Sequence, residues 1–257
     1  MFQFIKQWKR KRYKQVQLRD EQINTLFTVA PLAATLPSSY RGKFLETVTI
    51  LLHEKKIEGC AGLEVNETVQ YVIASHAALL LLGEISDYYP DLYTILVYPT
   101  AYIAPVNDHE EGGIVVEGRE MRFGESWGQG SLVLAWDEVS MDAKRPNSGR
   151  NLVIHEFAHE IDQEFALTEE PTLLKFQEWG DTLMRSYHQH VAYVEKGYPT
   201  LLDPYGAENP AEFFAVSTEM FFGKPVEFKN HHPKLYKEIS RIYNLDPADW
   251  KTTKVGI

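Results

Sequence analysis

The sequence contains a single cysteine, Cys60, and no long run of apolar residues. One thiol cannot form a disulfide within the chain, and it cannot supply a multi-cysteine metal site. Crossing a bilayer takes about 18 consecutive apolar residues, and the longest run, AALLLLG near Leu80, is much shorter. The basic first residues are followed by no apolar segment with a small-residue cleavage site, so we expect no secretory signal. These absences favour a cytoplasmic protein without a membrane span.

Charge is distributed unevenly along the 257 residues. The first 16 residues hold six Lys or Arg and no acid, which leaves 20 basic against 36 acidic residues in the remainder, a balance of −16. Phosphate repulsion opposes nucleic-acid binding by so acidic a body, and we expect no direct nucleic-acid partner. The basic segment is typical of a solvated tail or first helical turn, with a membrane surface, RNA or an acidic partner as alternatives.

Hydrophobic periodicity predicts helices, then a small sheet, then helices, which is an α+β order. Helices are predicted at 41–56 and after Asn66, a good N-cap; His76 lies in the apolar stripe of the second helix, where a hydrogen-bonded core residue is expected. Strands are predicted at 92–99, in a hairpin turning near Glu117-Gly118, and at 131–139. The predicted organisation has a basic leader and one compact domain, divided as follows: leader 1–20, domain 21–257, helical part 21–90, sheet region 91–140, site helices 146–225, C-terminal helix 226–257.

The stretch NLVIHEFAHEID, residues 151–162, carries two histidines four residues apart. With Asn147 or Ser148 as the cap, a helix from residue 150 places His155 and His159 about 40° apart on one face. Both imidazoles then reach one ion at about 2.0–2.1 Å. Glu156, at the edge of that face, can take a proton from water in an open coordination position. The HExxH pattern therefore predicts a zinc-peptidase helix, against the alternative of a chance match on a surface helix.

A catalytic zinc needs a third protein ligand, and the sequence leaves its identity open. Positions 162 and 165 are Asp and Phe, so no third histidine extends the motif, and His231-His232 beside Pro233 is expected to face solvent. A carboxylate near 203–225 is the alternative. Glu212, in the first turn of an apolar helix capped by Asn209, is the best candidate, because a buried carboxylate must be paired or bind metal.

Other acidic residues of this segment remain alternatives, and two further residues have open roles. Asp203 is the second choice as ligand, and Glu208 is expected in a loop. Glu219, seven residues after Glu212, either orients a ligand imidazole or is a half-exposed surface residue. Asp162 likewise either accepts a hydrogen bond from a ligand imidazole or has a structural use. Tyr205 either hydrogen-bonds a developing oxyanion or packs like other tyrosines.

Three stretches, VIHEFAHEID, DPYGAENPAEFFAVSTEMFFGKP and GQGSLVLAWDEV, resemble the Mlc titration factor A family of zinc peptidases. The resemblance covers most of the chain, and the family's catalytic region is similar to that of anthrax lethal factor, a gluzincin. It implies a zincin-like core and one Zn²⁺ per chain, with His155, His159 and Glu212 as ligands. It also implies Glu156 as general base and Tyr205 as transition-state donor. Aminopeptidase-type cleavage of peptides and binding to an Mlc-like repressor complete what it implies.

In gluzincins an edge strand above the active-site helix pairs with the substrate backbone. Residues 130–136 are the candidate here, with an interior core strand as the alternative. The sequence thus favours a zinc metallopeptidase. The rival is a non-catalytic, zinc-containing protein that sequesters a repressor, its acidic body mimicking nucleic acid. A structural zinc would need four protein ligands, and only three persuasive ones are found, which favours catalysis.

Overall fold

Helices precede and follow a small sheet in the residues that the computed structural model describes, namely 2–13, 16, 18–109, 115–122, 124–127, 130–167 and 177–250. The helices are α1 (Phe2–Tyr13), α2 (Asp20–Val29), α3 (Pro31–Ala34), α4 (Ser38–Glu54), α5 (Glu67–Leu80), α6 (Trp136–Ala143), α7 (Leu152–Phe165), α8 (Gln177–Glu195), α9 (Pro210–Gly223), α10 (Pro225–His231) and α11 (Pro233–Tyr243). The strands are β1 (Lys56–Gly59), β2 (Thr94–Tyr98), β3 (Tyr102–His109), β4 (Val115–Arg122), β5 (Gly124–Trp127) and β6 (Ser131–Ala135). None of these helices is both long and apolar enough to cross a membrane.

The main sheet has the strand order β1-β2-β6-β5. The first three strands are parallel, with Ile57 opposite Ile95 and Ile95 opposite Leu132, while β5 runs antiparallel to β6. Strands β3 and β4 form a separate antiparallel pair. Helix α7 packs against β5 and β6, so the sheet supports the HExxH helix directly. The mixture of helices with a small, mainly parallel sheet confirms the α+β prediction.

Three predictions for the sheet region are wrong. The hairpin does not turn at Glu117-Gly118, because Gly118 pairs with Val106 inside β4 and the connection falls at 110–114, outside the described residues. The strand predicted at 131–139 ends at Ala135, and α6 begins at Trp136 with two acids in its first turn, which favour a helix N-terminus. The segment 130–136 is also not an edge, since β6 lies between β2 and β5. In the described part of the main sheet, the edge next to it is β5.

The helical predictions before the sheet are close to the structure. Helix α4 runs from Ser38 to Glu54 and so covers residues 41–54 of the predicted 41–56 segment, whereas Lys56 begins β1. Asn66 caps α5, its side chain accepting a hydrogen bond from the Val69 amide at 3.1 Å. His76 is 1% exposed, and its Nδ1 lies 2.7 Å from the Val72 carbonyl oxygen. This confirms the prediction that His76 is a hydrogen-bonded core residue. Most of α5 is buried in this way at the centre of the hydrophobic core.

Of the solvated tail and the helical turn expected for the basic leader, the structure has a helix, since residues 2–13 form α1. Arg10 is buried between Glu54 and Asp87 and donates hydrogen bonds to Glu54 at 2.6 and 2.9 Å. These contacts anchor α1 to α4, whereas Lys9, Lys11 and Arg12 stay exposed. At the other end, one helix was predicted at 226–257, but the structure has two, α10 and α11, because Pro233 begins a new helix. Helix α11 ends at Tyr243, and residues 251–257 lie outside the described residues.

Candidate metal centre

Buried polar groups fix the start of α7. Asn151 is its N-cap, accepting a hydrogen bond from the Ile154 amide at 3.0 Å. The predicted caps Asn147 and Ser148 are wrong; the Ser148 hydroxyl bonds the backbone of Arg150 instead. Two further amides at this end donate to carboxylates, Leu152 to Asp142 at 2.9 Å and Asn151 to Glu219. Negative groups at a helix N-terminus stabilise it, so these contacts set where the motif histidines lie.

The structure brings His155, His159 and Glu212 together. His155 Nε2 lies 2.9 Å from Glu212 Oε2 and 3.3 Å from His159 Nε2. His159 Nε2 lies 3.5 Å from the same Glu212 oxygen. A tetrahedral ion with bonds of about 2.0–2.1 Å has ligand atoms about 3.3–3.4 Å apart. Two of the three spacings are close to this value, and the three donor atoms together could hold a metal ion.

Glu219 occupies the other side of the His155 ring. It is 6% exposed, and its Oε1 lies 2.8 Å from His155 Nδ1 while its second oxygen accepts the Asn151 amide. An Nδ1–H that donates to a carboxylate leaves the Nε2 lone pair directed at a metal. Glu219 was expected either to orient an imidazole or to lie half-exposed at the surface. Its contacts are those of a residue that orients the imidazole.

The three donor residues and Glu219 form one hydrogen-bonded network of charged groups. Burial disfavours an imidazolium at His155, but the hydrogen bonds that its ring donates to Glu212 and Glu219 outweigh burial and raise the pKa of His155 well above its usual value. Burial acts against ionisation of Glu212 too, yet its hydrogen bonds with His155 and His159 lower its pKa to about 2. An imidazole ligates a metal only through a deprotonated nitrogen, so an ion at this network would compete with protons.

Glu156 is 5% exposed on α7, directly after the first histidine. Burial raises the pKa of its carboxyl, and the nearby His155 and His159 act in the opposite direction. A buried carboxylate with a raised pKa is better matched to accepting a proton near neutral pH than an ordinary surface glutamate. The residue thus has the surroundings that a general base requires.

Tyr205 lies in a 3-10 turn, Pro204–Ala207, that precedes α9. Its side chain is 47% exposed, and its ring centroid is 6.0 Å from that of His155. Asp203, the second choice as ligand, instead caps this turn, its Oδ1 accepting the Tyr205 amide at 2.9 Å. Glu208 follows the turn, and its side chain is exposed as predicted for a loop residue. Tyr205 therefore faces the site, whereas Asp203 supports the turn.

Among the described residues, the remaining acidic and histidine candidates do not belong to the group of three donors. Asp162 is buried on α7, and its backbone carbonyl accepts the Leu167 amide at 3.3 Å. His231 is exposed, as predicted, and His232 is half-buried.

Sequence reasoning missed three contributors to the site. Asn151 directly precedes the apolar HExxH segment, a cap signal that favoured it over the earlier Asn147. Asp142 reaches the helix start from α6, and His190 on α8 contacts the turn that carries Tyr205. No local pattern marks either of these two, because both act through tertiary contacts.

The fold and this donor set define a metallopeptidase-like protein, with two imidazoles from one helix and a carboxylate from another beside a buried glutamate. The model of the family described as glucose-regulated metallo-peptidase M90 matches residues 5–244, and the chain belongs to this family. The resemblance to Mlc titration factor A is thereby confirmed.

Curated relatives agree with that assignment. The chain is 38% identical over 222 residues to an uncharacterized protein of Synechocystis sp., covering 84% of this chain and 81% of that protein. It is 30% identical over 226 residues to Mlc titration factor A of Klebsiella pneumoniae, covering 84% and 83%. It is 29% identical to Mlc titration factor A of Yersinia pestis, covering 84% and 82%.

Proposed function

We propose that the protein is a zinc-dependent metallopeptidase with a zincin-like core, in which His155, His159 and Glu212 hold one Zn²⁺. The observation that carries this proposal is the meeting of three donor atoms at 2.9–3.5 Å from one another. Two imidazoles and a carboxylate leave a fourth tetrahedral position open, as in catalytic rather than structural zinc sites.

Each of the neighbouring residues has a part in peptide hydrolysis. Zinc, when bound, polarises the scissile carbonyl and lowers the pKa of a water molecule. Glu156 accepts a proton from that water and then passes it to the nitrogen of the leaving amine. The Tyr205 hydroxyl donates a hydrogen bond to the carbonyl oxygen as negative charge develops on it. Glu219 keeps the His155 ring in the orientation and tautomer that ligation requires.

We expect the substrate to be a peptide, cleaved in aminopeptidase fashion, as the family resemblance implies. Strand β5 supports peptide binding because it is antiparallel to β6, contacts α7 and ends the main sheet within the described residues. An extended peptide can add to such an edge through backbone hydrogen bonds. We therefore expect β5, rather than residues 130–136, to pair with the substrate backbone.

Substitution of Glu156 by Gln tests the chemistry. Glu156→Gln keeps the size of the side chain but cannot accept a proton, so peptide hydrolysis should fall by several orders of magnitude, in the range of about 10³-fold or more. Zinc content, measured by atomic absorption, should stay at one per chain. Glu160→Gln, on the same helix, is the matched control. A wild-type rate in Glu156→Gln on a genuine peptide substrate would remove Glu156 as the base.

Substitution of Glu212 by Ala tests the third ligand. Glu212→Ala removes the only carboxylate within reach of both imidazoles among the described residues, so zinc should be lost during dialysis. Glu208→Ala, four residues earlier and exposed, should retain it. Unchanged zinc stoichiometry in Glu212→Ala would assign the ligand to another residue.

A second candidate function is binding of an Mlc-like repressor, which the name of the Klebsiella and Yersinia relatives favours. If this binding is its only function, the protein would hold zinc without catalysis and would sequester the repressor. Release of a chromogenic amine from a panel of aminoacyl substrates, with and without chelator, separates the two. Turnover abolished by chelator supports the peptidase; no chelator-sensitive turnover on any substrate supports the binding protein.

A further inference from the structure

Helix α8 packs against the 3-10 turn that carries Tyr205. Its residue His190 is 6% exposed, and its Nε2 lies 3.1 Å from the backbone carbonyl oxygen of Asp203. A carbonyl only accepts hydrogen bonds, so His190 is the donor and carries its proton on Nε2. The same carbonyl accepts the Gly206 amide at 3.0 Å, which closes the turn. His190 thus binds the atom on which the turn is built.

A second residue of α8 holds the other end of this turn. The Tyr187 hydroxyl lies 3.3 Å from the Ala207 carbonyl oxygen and 3.4 Å from that of Glu208. The rings of Tyr187 and His190 also pack near Phe213, with centroids 5.9 and 5.5 Å away. Since Phe213 directly follows Glu212 on α9, one aromatic cluster connects α8 to the carboxylate ligand and to the turn.

The turn has no room to shift towards α9. A Cβ added at Gly206 would lie 2.6 Å from Val216 Cγ2 and 3.5 Å from His190 Nε2. The backbone is therefore enclosed between α8 and α9, while the Tyr205 side chain extends outward and is 47% exposed. The Tyr205 side chain is thus carried by a backbone that α8 and α9 hold in place.

We propose that His190 is a positioning residue, which fixes the turn through the Asp203 carbonyl and thereby holds the Tyr205 hydroxyl over the site. Tyr187 supports the same turn from its far end. This inference rests on the donor role that the proposed function gives to Tyr205. It concerns a residue that touches neither substrate nor metal, and it adds a requirement to the site: the donor must be held by α8, which carries none of the three metal-binding donors.

A double-mutant cycle with Tyr205→Phe tests the coupling. Tyr205→Phe should lower kcat by about 10²-fold, as loss of an oxyanion donor does. His190→Leu should lower kcat on the order of 10-fold with KM and zinc content unchanged, because a misplaced donor contributes little. In the double variant the two losses should not multiply, and kcat should equal that of Tyr205→Phe alone. His190→Gln, whose amide nitrogen can reach the same carbonyl, should restore most of the activity.

Hydrogen exchange of the metal-free protein gives a readout that is independent of turnover. His190→Leu should speed amide exchange in a peptide covering 203–208, since the Tyr205 and Gly206 amides both donate to Asp203. Exchange in α7 should not change. Gln189→Leu is the matched control, because Gln189 is exposed and its amide bonds Tyr193 rather than the turn. Tyr187→Phe, which removes only a hydroxyl, should give a smaller effect in the same peptide and serves if His190→Leu fails to fold.

The possible results separate the inference from the function on which it rests. Multiplicative losses in the double variant, or unchanged exchange at 203–208, would overturn the positioning role of His190. An unchanged kcat in Tyr205→Phe would instead remove Tyr205 as a donor, and with it the reason for holding the turn. Coupled losses together with faster exchange confined to the turn would establish the inference.

Discussion

Glu219 holds His155 from the side opposite to Glu212. Its two oxygens accept hydrogen bonds from the His155 ring and from the Asn151 amide, both at buried positions. A ligand imidazole with such a partner has one tautomer and one orientation, and partners of this kind contribute substantially to metal affinity.

Glu219→Gln should weaken zinc binding by about 10- to 100-fold, because the amide is uncharged and retains only one acceptor atom. Competition with a chromogenic chelator measures the affinity. Glu227→Gln, exposed on α10, is the control and should bind zinc as the wild type does. Equal affinities in the two variants would show that Glu219 does not orient His155.

His76 makes the stability of the fold depend on pH. Burial lowers its pKa to about 4, against the raising effect of its bond to the Val72 carbonyl. Between pH 4 and the ordinary value of about 6.5, the unfolded chain binds more protons than the folded one, so stability is lost as pH falls through this window. The full loss from this one residue is about 3 kcal/mol.

His76→Leu should therefore reduce the slope of the unfolding free energy against pH by up to about 1.4 kcal/mol per pH unit in that window. Urea unfolding at pH 7, 6 and 5 measures the slope. His188→Leu, at an exposed position, is the control. If the unfolding free energies of the wild type and His76→Leu depended on pH in parallel, His76 would not be the source of this pH dependence.

At the scale of elements, the site depends on how α7 and α9 meet. Backbone contact occurs where the loop before α7 reaches the end of α9: a Cβ added at Gly223 would lie 2.9 Å from Gly149 Cα. Gly149 itself has φ +76°, and a Cβ there would lie 2.3 Å from Met220 Sδ. These two glycines let the helices that supply His155 and Glu212 approach closely.

Gly223→Ala should destabilise the protein by roughly 1–3 kcal/mol, because the clash is with backbone and cannot be relieved by a side-chain rotation. Gly42→Ala on α4 meets nothing within 4 Å and should be stabilising by about 0.5–1 kcal/mol. Urea unfolding compares the two. Equal stabilities would show that the α7–α9 contact tolerates a methyl group.

At the scale of the molecule, the zinc ion that we propose would join distant parts of the chain. The three donor residues on α7 and α9 are up to 57 positions apart, from His155 to Glu212. An ion that binds only the folded state stabilises it, by about 2.7 kcal/mol when its free concentration is 100-fold above Kd.

Zinc should thus raise the Tm of the apoprotein, and Glu212→Ala should abolish the shift. Calorimetry measures the Tm, with magnesium as the control ion because it prefers octahedral oxygen ligands. An equal zinc-induced shift in Glu212→Ala would mean that the stabilising ion binds elsewhere.

The sequence predicted the parts of the site that follow from local chemistry. HExxH places His155, His159 and Glu156 by helical geometry alone, and Asn209 and Asn66 mark helix starts because their side chains can accept a backbone hydrogen bond. The sheet was less predictable. The Glu117-Gly118 pair resembles a turn but lies within β4, because pairing with β3 outweighs a local preference.

By itself, therefore, the sequence determined the α+β order, the motif helix and its histidines, and the family. Only the tertiary structure decided which glutamate approaches the two histidines, which one contacts the far side of His155, which strand forms the edge, and that α8 contacts the turn of Tyr205. The reason is physical: periodicity and capping act within a few residues. The meeting of Glu212, Glu219 and His190 with the motif depends on packing between elements far apart in the chain.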